Sequence, residues 1–227
     1  MKNIRKYNYL FLIGIFTLLL AFSGCKETND LGIEVLPKDD LITITNYMKP
    51  CDVDYCLYDQ GFIYTNNLSE IVKKISVFND LKPVICPIKE LPLSEIQKII
   101  FAIPKEKAEF VRNFKKSIVD PRYSCFFTQA ELFEFVDYRV SKGAGIQAYI
   151  QEKKLTMENV VTFGDAENDS DMLIKAGLGV AMGNAPLDIQ ALADVITKTN
   201  DEDGVAYYLN KLFEFKFFFN GLVYMCN

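Results

Sequence analysis

The chain has 227 residues, half of them hydrophobic, and a formal charge of −5, so one large domain or two small ones with a sizeable core would fit. It contains no histidine, which excludes Ser-His-Asp and Cys-His catalysis, HExxH zinc sites and every His-ligated metal. Acid–base chemistry must come from Asp, Glu, Lys, Tyr or Cys, and with no basic stretch outside the extreme N-terminus no nucleic-acid partner is expected.

Residues 1–24 read as a leader rather than as fold material. Lys2, Arg5 and Lys6 form a basic start, and "YLFLIGIFTLLLAF" is an apolar run too short to span a bilayer comfortably. "FSGC" then places small residues directly before Cys25. This order resembles a bacterial lipoprotein signal, in which the cysteine would be lipidated and become the first residue. A plain signal peptide or an uncleaved anchor are the other readings. Removal of the leader would leave a charge of −8. The expected location is the membrane through this N-terminal anchor alone, or the cytoplasm if the signal is not used.

Residues 25–56 read as a lipoprotein-like segment and linker. "KETNDLGIEVLPKDDLITI" is polar, then weakly strand-like, and resembles over about 20 residues the start of a family of bacterial surface lipoproteins. The six cysteines, Cys25, Cys51, Cys56, Cys86, Cys125 and Cys226, contain no CxxC pair, so a zinc knuckle or a thioredoxin-type site has no support. Cys51 and Cys56 are read either as a disulfide or as small buried thiols in a reduced compartment.

From about residue 57 short strands alternate with amphipathic helices. "GFIYTNN" predicts a strand and turn, and "PVICPIKEL" and "IQKIIFAI" are apolar runs of strand length. "PKEKAEFVRNFKKSIV" predicts a helix, with Ala108, Val111, Phe114 and Ile118 at helical spacing and Pro104 in its first turn. "YSCFFTQAELFEFVDYRV" predicts strand, turn, strand. "SKGAGIQAYIQEKKL" is a helix with Ser141 at its N-cap. "NVVTF" is a continuous buried strand, "DMLIKAG" a helix closed by Gly177, "GVAM" a strand, "PLDIQALA" a helix, "DVIT" a strand and "DGVAYYLNKLFEF" the last helix. Strand–helix repetition from residue 141 predicts a parallel α/β sheet with its ligand at the carboxyl ends of the strands. Residues 57–137 read as a separate α+β piece, and residues 216–227 as an apolar tail of undefined status.

Asp165, Glu167, Asp169 and Asp171 fall within seven residues in "VVTFGDAENDSDML". Taken alone, this is an acidic, solvated helix start or half of a cation site. Gly177, Gly179 and Gly183 come near a dinucleotide fingerprint, but Gly177 closes a helix and Gly179 precedes a strand, which is the wrong register.

Read with "RVSKGAGIQ" before the cluster, and "GVAMGNA" and "TKTNDEDGVA" after it, the order over roughly residues 57–213 resembles the haloacid dehalogenase (HAD) superfamily, specifically its Cof-type phosphatases. "IKELPLSEIQKIIF" and "ELFEFVDYRVSKG" resemble that family's α+β cap (57–137) and its return to the core (138–215). Lys142 matches the third family motif, and Gly164-Asp165-x-x-Asn168-Asp169 the fourth. The resemblance implies a Rossmann-like parallel core, here incomplete, and a Mg2+-dependent phosphatase of small phosphorylated metabolites, sugar or nucleotide phosphates. It implies Asp165 as a Mg2+ ligand and Asp169 as its support, through water or by pairing with Lys142. Asn168 would hydrogen-bond substrate or cap, and Lys142 would neutralise the nucleophile and the transferring phosphoryl group. Glu167 and Asp171 match no role.

Phosphatases of this kind begin with a strand ending in Asp-x-Asp-Gly-Thr, whose first Asp attacks phosphorus. The only upstream Asp-x-Asp is "CDVDYC", Asp52 and Asp54. Tyr55-Cys56 replaces Gly-Thr, Lys49-Pro50 does not suit a buried central strand, and cap-like sequence follows at once. Asp52 is therefore a weak candidate nucleophile, and impaired catalysis is expected. The alternative is a non-catalytic surface lipoprotein or a chimeric, truncated gene product.

Overall fold

The computed structural model describes residues 10–11, 35–59, 61–92 and 96–213. In chain order these form β1 (Leu10–Phe11), α1 (Lys38–Met48), β2 (Asp54–Asp59), β3 (Phe62–Thr65), α2 (Glu70–Phe78), β4 (Lys82–Ile85) and β5 (Lys98–Ala102). Next come α3 (Ala108–Lys115), β6 (Tyr123–Gln129), β7 (Leu132–Asp137), α4 (Lys142–Glu152), β8 (Val160–Gly164), α5 (Ser170–Lys175), β9 (Leu178–Ala181), α6 (Leu187–Gln190), β10 (Val195–Ile196) and α7 (Gly204–Phe213). Leu10 and Phe11 stand inside the stretch read as a leader, yet they pair with Val160 and Val161 of β8; the rest of residues 1–24, Cys25 and the tail 216–227 lie outside the described residues.

The strand–helix alternation after residue 141 produces a parallel sheet in the order β1-β8-β9-β10. All five residues of β8 are buried, as expected for a strand covered on both faces. Val161, Phe163, Val180 and Met182 pack with Tyr208 of α7. Leu173 of α5 clusters instead with Ala185 and Ile189. This Rossmann-like α/β arrangement is the predicted core fold.

The second sheet is six-stranded, in the order β4-β3-β2-β5-β7-β6. Its neighbours are antiparallel except for β3 and β4, so β4 and β6 are its edges. Strand alternation sends side chains to two faces. Ile99 and Phe101 of β5 join Tyr55, Leu57, Phe133 and Phe135 under α1 and α3. Ile100 and Ala102 join Cys56 and Ile63 under Val72 and Ile75 of α2. Phe101 and Phe133 both meet the Phe135 ring edge-on, at centroid distances of 5.9 and 5.2 Å.

α1 departs from the weakly strand-like reading. Leu41, Ile44 and Met48 are buried at i, i+3 and i+7, one helical stripe. Pro37 precedes the first turn, and Asp39 and Asp40 stand within it, where carboxylates favour the positive end of the helix dipole. The local β-branched run Ile42-Thr43-Ile44-Thr45 is overridden by this burial. An ionic staple holds α1 in place. Asp40 Oδ1 accepts from Arg122 Nη1 at 2.9 Å and from the Tyr123 hydroxyl at 2.5 Å, while the Tyr47 hydroxyl donates to Asp120 Oδ2 at 2.7 Å.

Cys51, Cys56, Cys86 and Cys125 are free thiols. Cys51 and Cys56 belong to clusters on opposite faces of the six-stranded sheet, which rules out the disulfide reading of that pair.

Candidate active site at the carboxyl end of β8

β8 ends at Gly164, and the chain turns at once through Asp165 and Ala166 into a single 3-10 turn, Glu167–Asp169. Gly164 is needed there, because a Cβ at this position would stand 2.5 Å from the Cβ of Asp169. Asp169 folds back under the loop and is 2% exposed. Its Oδ2 accepts the backbone N–H groups of Asp165 at 2.9 Å and Ala166 at 3.1 Å. Its Oδ1 pairs with Lys142 Nζ. A carboxylate this deep is tolerable only when it is paired and hydrogen-bonded, and Asp169 is both.

Lys142 opens α4, whose N-cap is Ser141, as predicted; the Ser141 hydroxyl accepts from the Ala144 N–H at 3.0 Å. Ser141 also bonds Asp171, which pairs with Lys175 at 2.8 Å. Asp171, without a role in the sequence reading, therefore ties the start of α4 to α5. Lys142 is brought to Asp169 across 27 residues of chain, with its side chain 18% exposed.

Asp165 Oδ2 accepts from Asn184 Nδ2 at 2.9 Å, and Asn184 Oδ1 accepts from the Asn200 N–H at 3.0 Å. The loops after β8, β9 and β10 thus converge at one end of the parallel sheet, where α/β folds bind ligands. Asn184 was not singled out in the sequence. The available signal was its place in "GNA", directly after a strand of the same sheet. Asn168 Oδ1 is buried without a hydrogen-bond partner.

The donor set suits a hard cation. Mg2+ takes oxygen ligands, commonly one or two carboxylates with phosphate and water completing the shell. Asp165 supplies a carboxylate at the carboxyl end of β8, and Asn168, three residues on, a buried oxygen without a hydrogen-bond partner. Asp169 pairs with Lys142 and accepts two backbone amides. Among the described residues, no group of three or more acidic or thiol side chains forms a metal cage.

Asp52 is not brought to this cluster. It has left-handed backbone (φ 48°), its side chain is 95% exposed, and it pairs with Lys107 at 2.8 Å. That lysine holds its carboxyl below the usual range. Asp54 accepts from Asn66 and Asn67, so both carboxylates of "CDVDYC" serve the six-stranded body.

A family model of haloacid dehalogenase-like hydrolases matches residues 25–209. The chain belongs to this hydrolase family. The match takes in residues 25–56, the stretch likened above to a lipoprotein start. A Haemophilus influenzae protein classed with the phosphatases is 31% identical over 209 residues, 86% of this chain and 76% of its own. The Bacillus subtilis 5-amino-6-(5-phospho-D-ribitylamino)uracil phosphatase YcsE is 49% identical over 67 residues, but these cover only 30% of this chain and 27% of that protein. Among solved structures, the HAD subclass IIB sugar phosphatase BT4131 matches with a TM-score of 0.64 at 25% identity, covering 80% of this chain and 68% of that one. A haloacid dehalogenase-like hydrolase from Bacteroides thetaiotaomicron matches with a TM-score of 0.61 at 26% identity, covering 79% and 68%. The Cof-type reading of the hydrolase family therefore stands on both sequence and fold.

Proposed function

We propose that this HAD-family chain carries a Mg2+-dependent phosphatase site for small phosphorylated metabolites, sugar or nucleotide phosphates, and that its own turnover is impaired. The observation that carries the reading is the Lys142–Asp169 ion pair beside Asp165 at the carboxyl end of β8. Asp165 would hold the metal, which when bound supplies positive charge at the phosphoryl oxygens. Asp169 fixes the Asp165 backbone and orients the Lys142 ammonium. That ammonium, mostly shielded from water, would neutralise a phosphoryl group more strongly than it would in bulk solvent. Asn184 restrains the Asp165 carboxylate, and Asn168 offers an oxygen to metal or ligand. The substrate class is supported by the names of the relatives, a ribitylaminouracil phosphatase and a sugar phosphatase.

Impairment is supported by the sequence, which lacks Asp-x-Asp-Gly-Thr, and by the commitment of Asp52 to Lys107. The test is a panel of phosphate esters assayed with the purified chain and Mg2+, alongside Mn2+ binding followed by electron paramagnetic resonance. We expect Mn2+ binding that disappears in Asp165→Asn, and no turnover above the Asp165→Asn background. Turnover abolished by both Asp165→Ala and Asp52→Ala would show that Asp52 attacks phosphorus and would overturn the impairment. Absence of Mn2+ binding in a folded chain would overturn the metal site.

For location, the order of basic, apolar and small residues before Cys25 supports lipid anchoring. Globomycin-sensitive processing lost in Cys25→Ser is the expected result, and a chain found wholly unprocessed in the cytoplasm would refute it.

A further inference from the structure

Glu167 lies two residues from Asp165, and both of its carboxylate oxygens are taken by the six-stranded body. Oε2 accepts the backbone N–H of Phe127 at 3.0 Å, and Oε1 pairs with Lys115 Nζ. Phe127 belongs to the edge strand β6, and Lys115 is the last residue of α3. Arg112, one turn earlier on α3, lies 4.0 Å over the Phe127 ring, so helix and strand reach Glu167 as one packed unit. The Lys115 and Glu167 side chains are only 24% and 35% exposed, more sheltered than an ordinary surface pair. Burial pushes the Lys115 ammonium below its ordinary pKa, and the Asp188 carboxylate of α6 acts against that shift.

We propose that Glu167 is a positioning residue: a latch that docks the edge of the six-stranded sheet onto the loop carrying Asp165. The inference goes beyond the hydrolytic reading and does not require turnover. It rests on two partners of different kinds held by one side chain. The Phe127 N–H on an edge strand has no ladder partner on its outer side and needs an acceptor from elsewhere. The 3-10 turn that presents Glu167 is also the turn whose Asp169 holds the Asp165 and Ala166 amides and Lys142. Docking of the six-stranded body and the shape of the candidate site are therefore read by the same five residues.

Amide hydrogen exchange on the full chain tests this. In Glu167→Ala, exchange at Phe127 should accelerate at least about tenfold, the equivalent of losing one charge-assisted hydrogen bond. Amides of the β5–β7 ladder should be unchanged. Glu167→Gln and Lys115→Met keep an acceptor for Phe127 but lose the ion pair, and should give a smaller acceleration at the same amide. Lys115→Arg should restore wild-type exchange. Acceleration spread evenly through β5, β6 and β7, or none at Phe127, would overturn the latch. If Glu167→Ala does not fold, the Gln, Met and Arg variants carry the same discrimination. Loss of Mn2+ binding in Asp165→Asn is a separate readout, so failure of the phosphatase reading and failure of the latch are told apart.

Discussion

Asp169 shows how the site's charges are balanced one residue at a time. Its carboxylate is buried and satisfied by one ammonium and two amides. Asp169→Asn would remove the charge and leave Lys142 unpaired in a largely shielded position. Breaking a buried pair from one side costs about 3–5 kcal/mol; with Lys142 still 18% exposed, the lower end applies, about 3 kcal/mol. Urea denaturation checks the figure, and a change below about 1 kcal/mol would mean that water replaces the partner readily. Asp165, Asp169 and Lys142 were singled out in the sequence through their match to two family motifs, and the structure brings the three together. Glu167 and Asp171 were not legible, because their partners, Lys115 with the Phe127 amide and Ser141 with Lys175, are fixed by tertiary packing and not by any local pattern. Asn184 lay between these cases, since its position after a strand pointed to the site and its residue type did not.

At the scale of elements, the helices and strands from α4 to α7 were readable from strand–helix alternation, because parallel α/β units repeat a strong period; Gly177 was not the left-handed cap expected, since α5 ends at Lys175 on an extended Ala176, and a Cβ at Gly177 would instead stand 2.3 Å from the Glu158 carbonyl oxygen. α1 was not, since its β-branched residues argue for a strand and it is burial of Leu41, Ile44 and Met48 in the cluster under the six-stranded sheet that makes the helix worthwhile. Ile44, fully buried in that cluster, tests this directly: Ile44→Ala should cost about 2–5 kcal/mol, read as a lowered urea midpoint. The staple on α1 predicts a pH effect. The Arg122 guanidinium, helped by the Tyr47 hydroxyl, holds the Asp120 carboxyl well below the usual carboxylate range. A depressed carboxyl stabilises the fold above its unfolded value, about 4, and that stability is lost as pH falls toward the folded value. Asp120→Asn should thus lower the urea midpoint at pH 7, and the gap from the unmodified chain should close as the pH drops below about 4. A gap that stays constant with pH would assign the effect to packing instead.

At the scale of the whole molecule, among the described residues, the clusters under the six-stranded sheet share no residue with those around the parallel sheet. Two such cores need not melt together. Calorimetry should show a van't Hoff enthalpy below the calorimetric one, with Val161→Ala moving one component and Phe135→Ala the other; a single coincident transition would show that the contacts at Glu167 couple the cores fully. The far edge of the six-stranded sheet has a different consequence. The N–H groups of Lys82, at the start of β4, and of Cys86, just past its end, point inward, to Gly61 and Thr65. The alternation of a parallel ladder therefore turns residues 83 and 85 outward. Residue 83 is proline, so the outer rim presents one donor where a regular strand would present two. A second molecule seeking to extend this sheet finds a template with a missing rung. Pro83→Val would restore the rung, and the result to look for is concentration-dependent self-association in light scattering with no loss of folded stability.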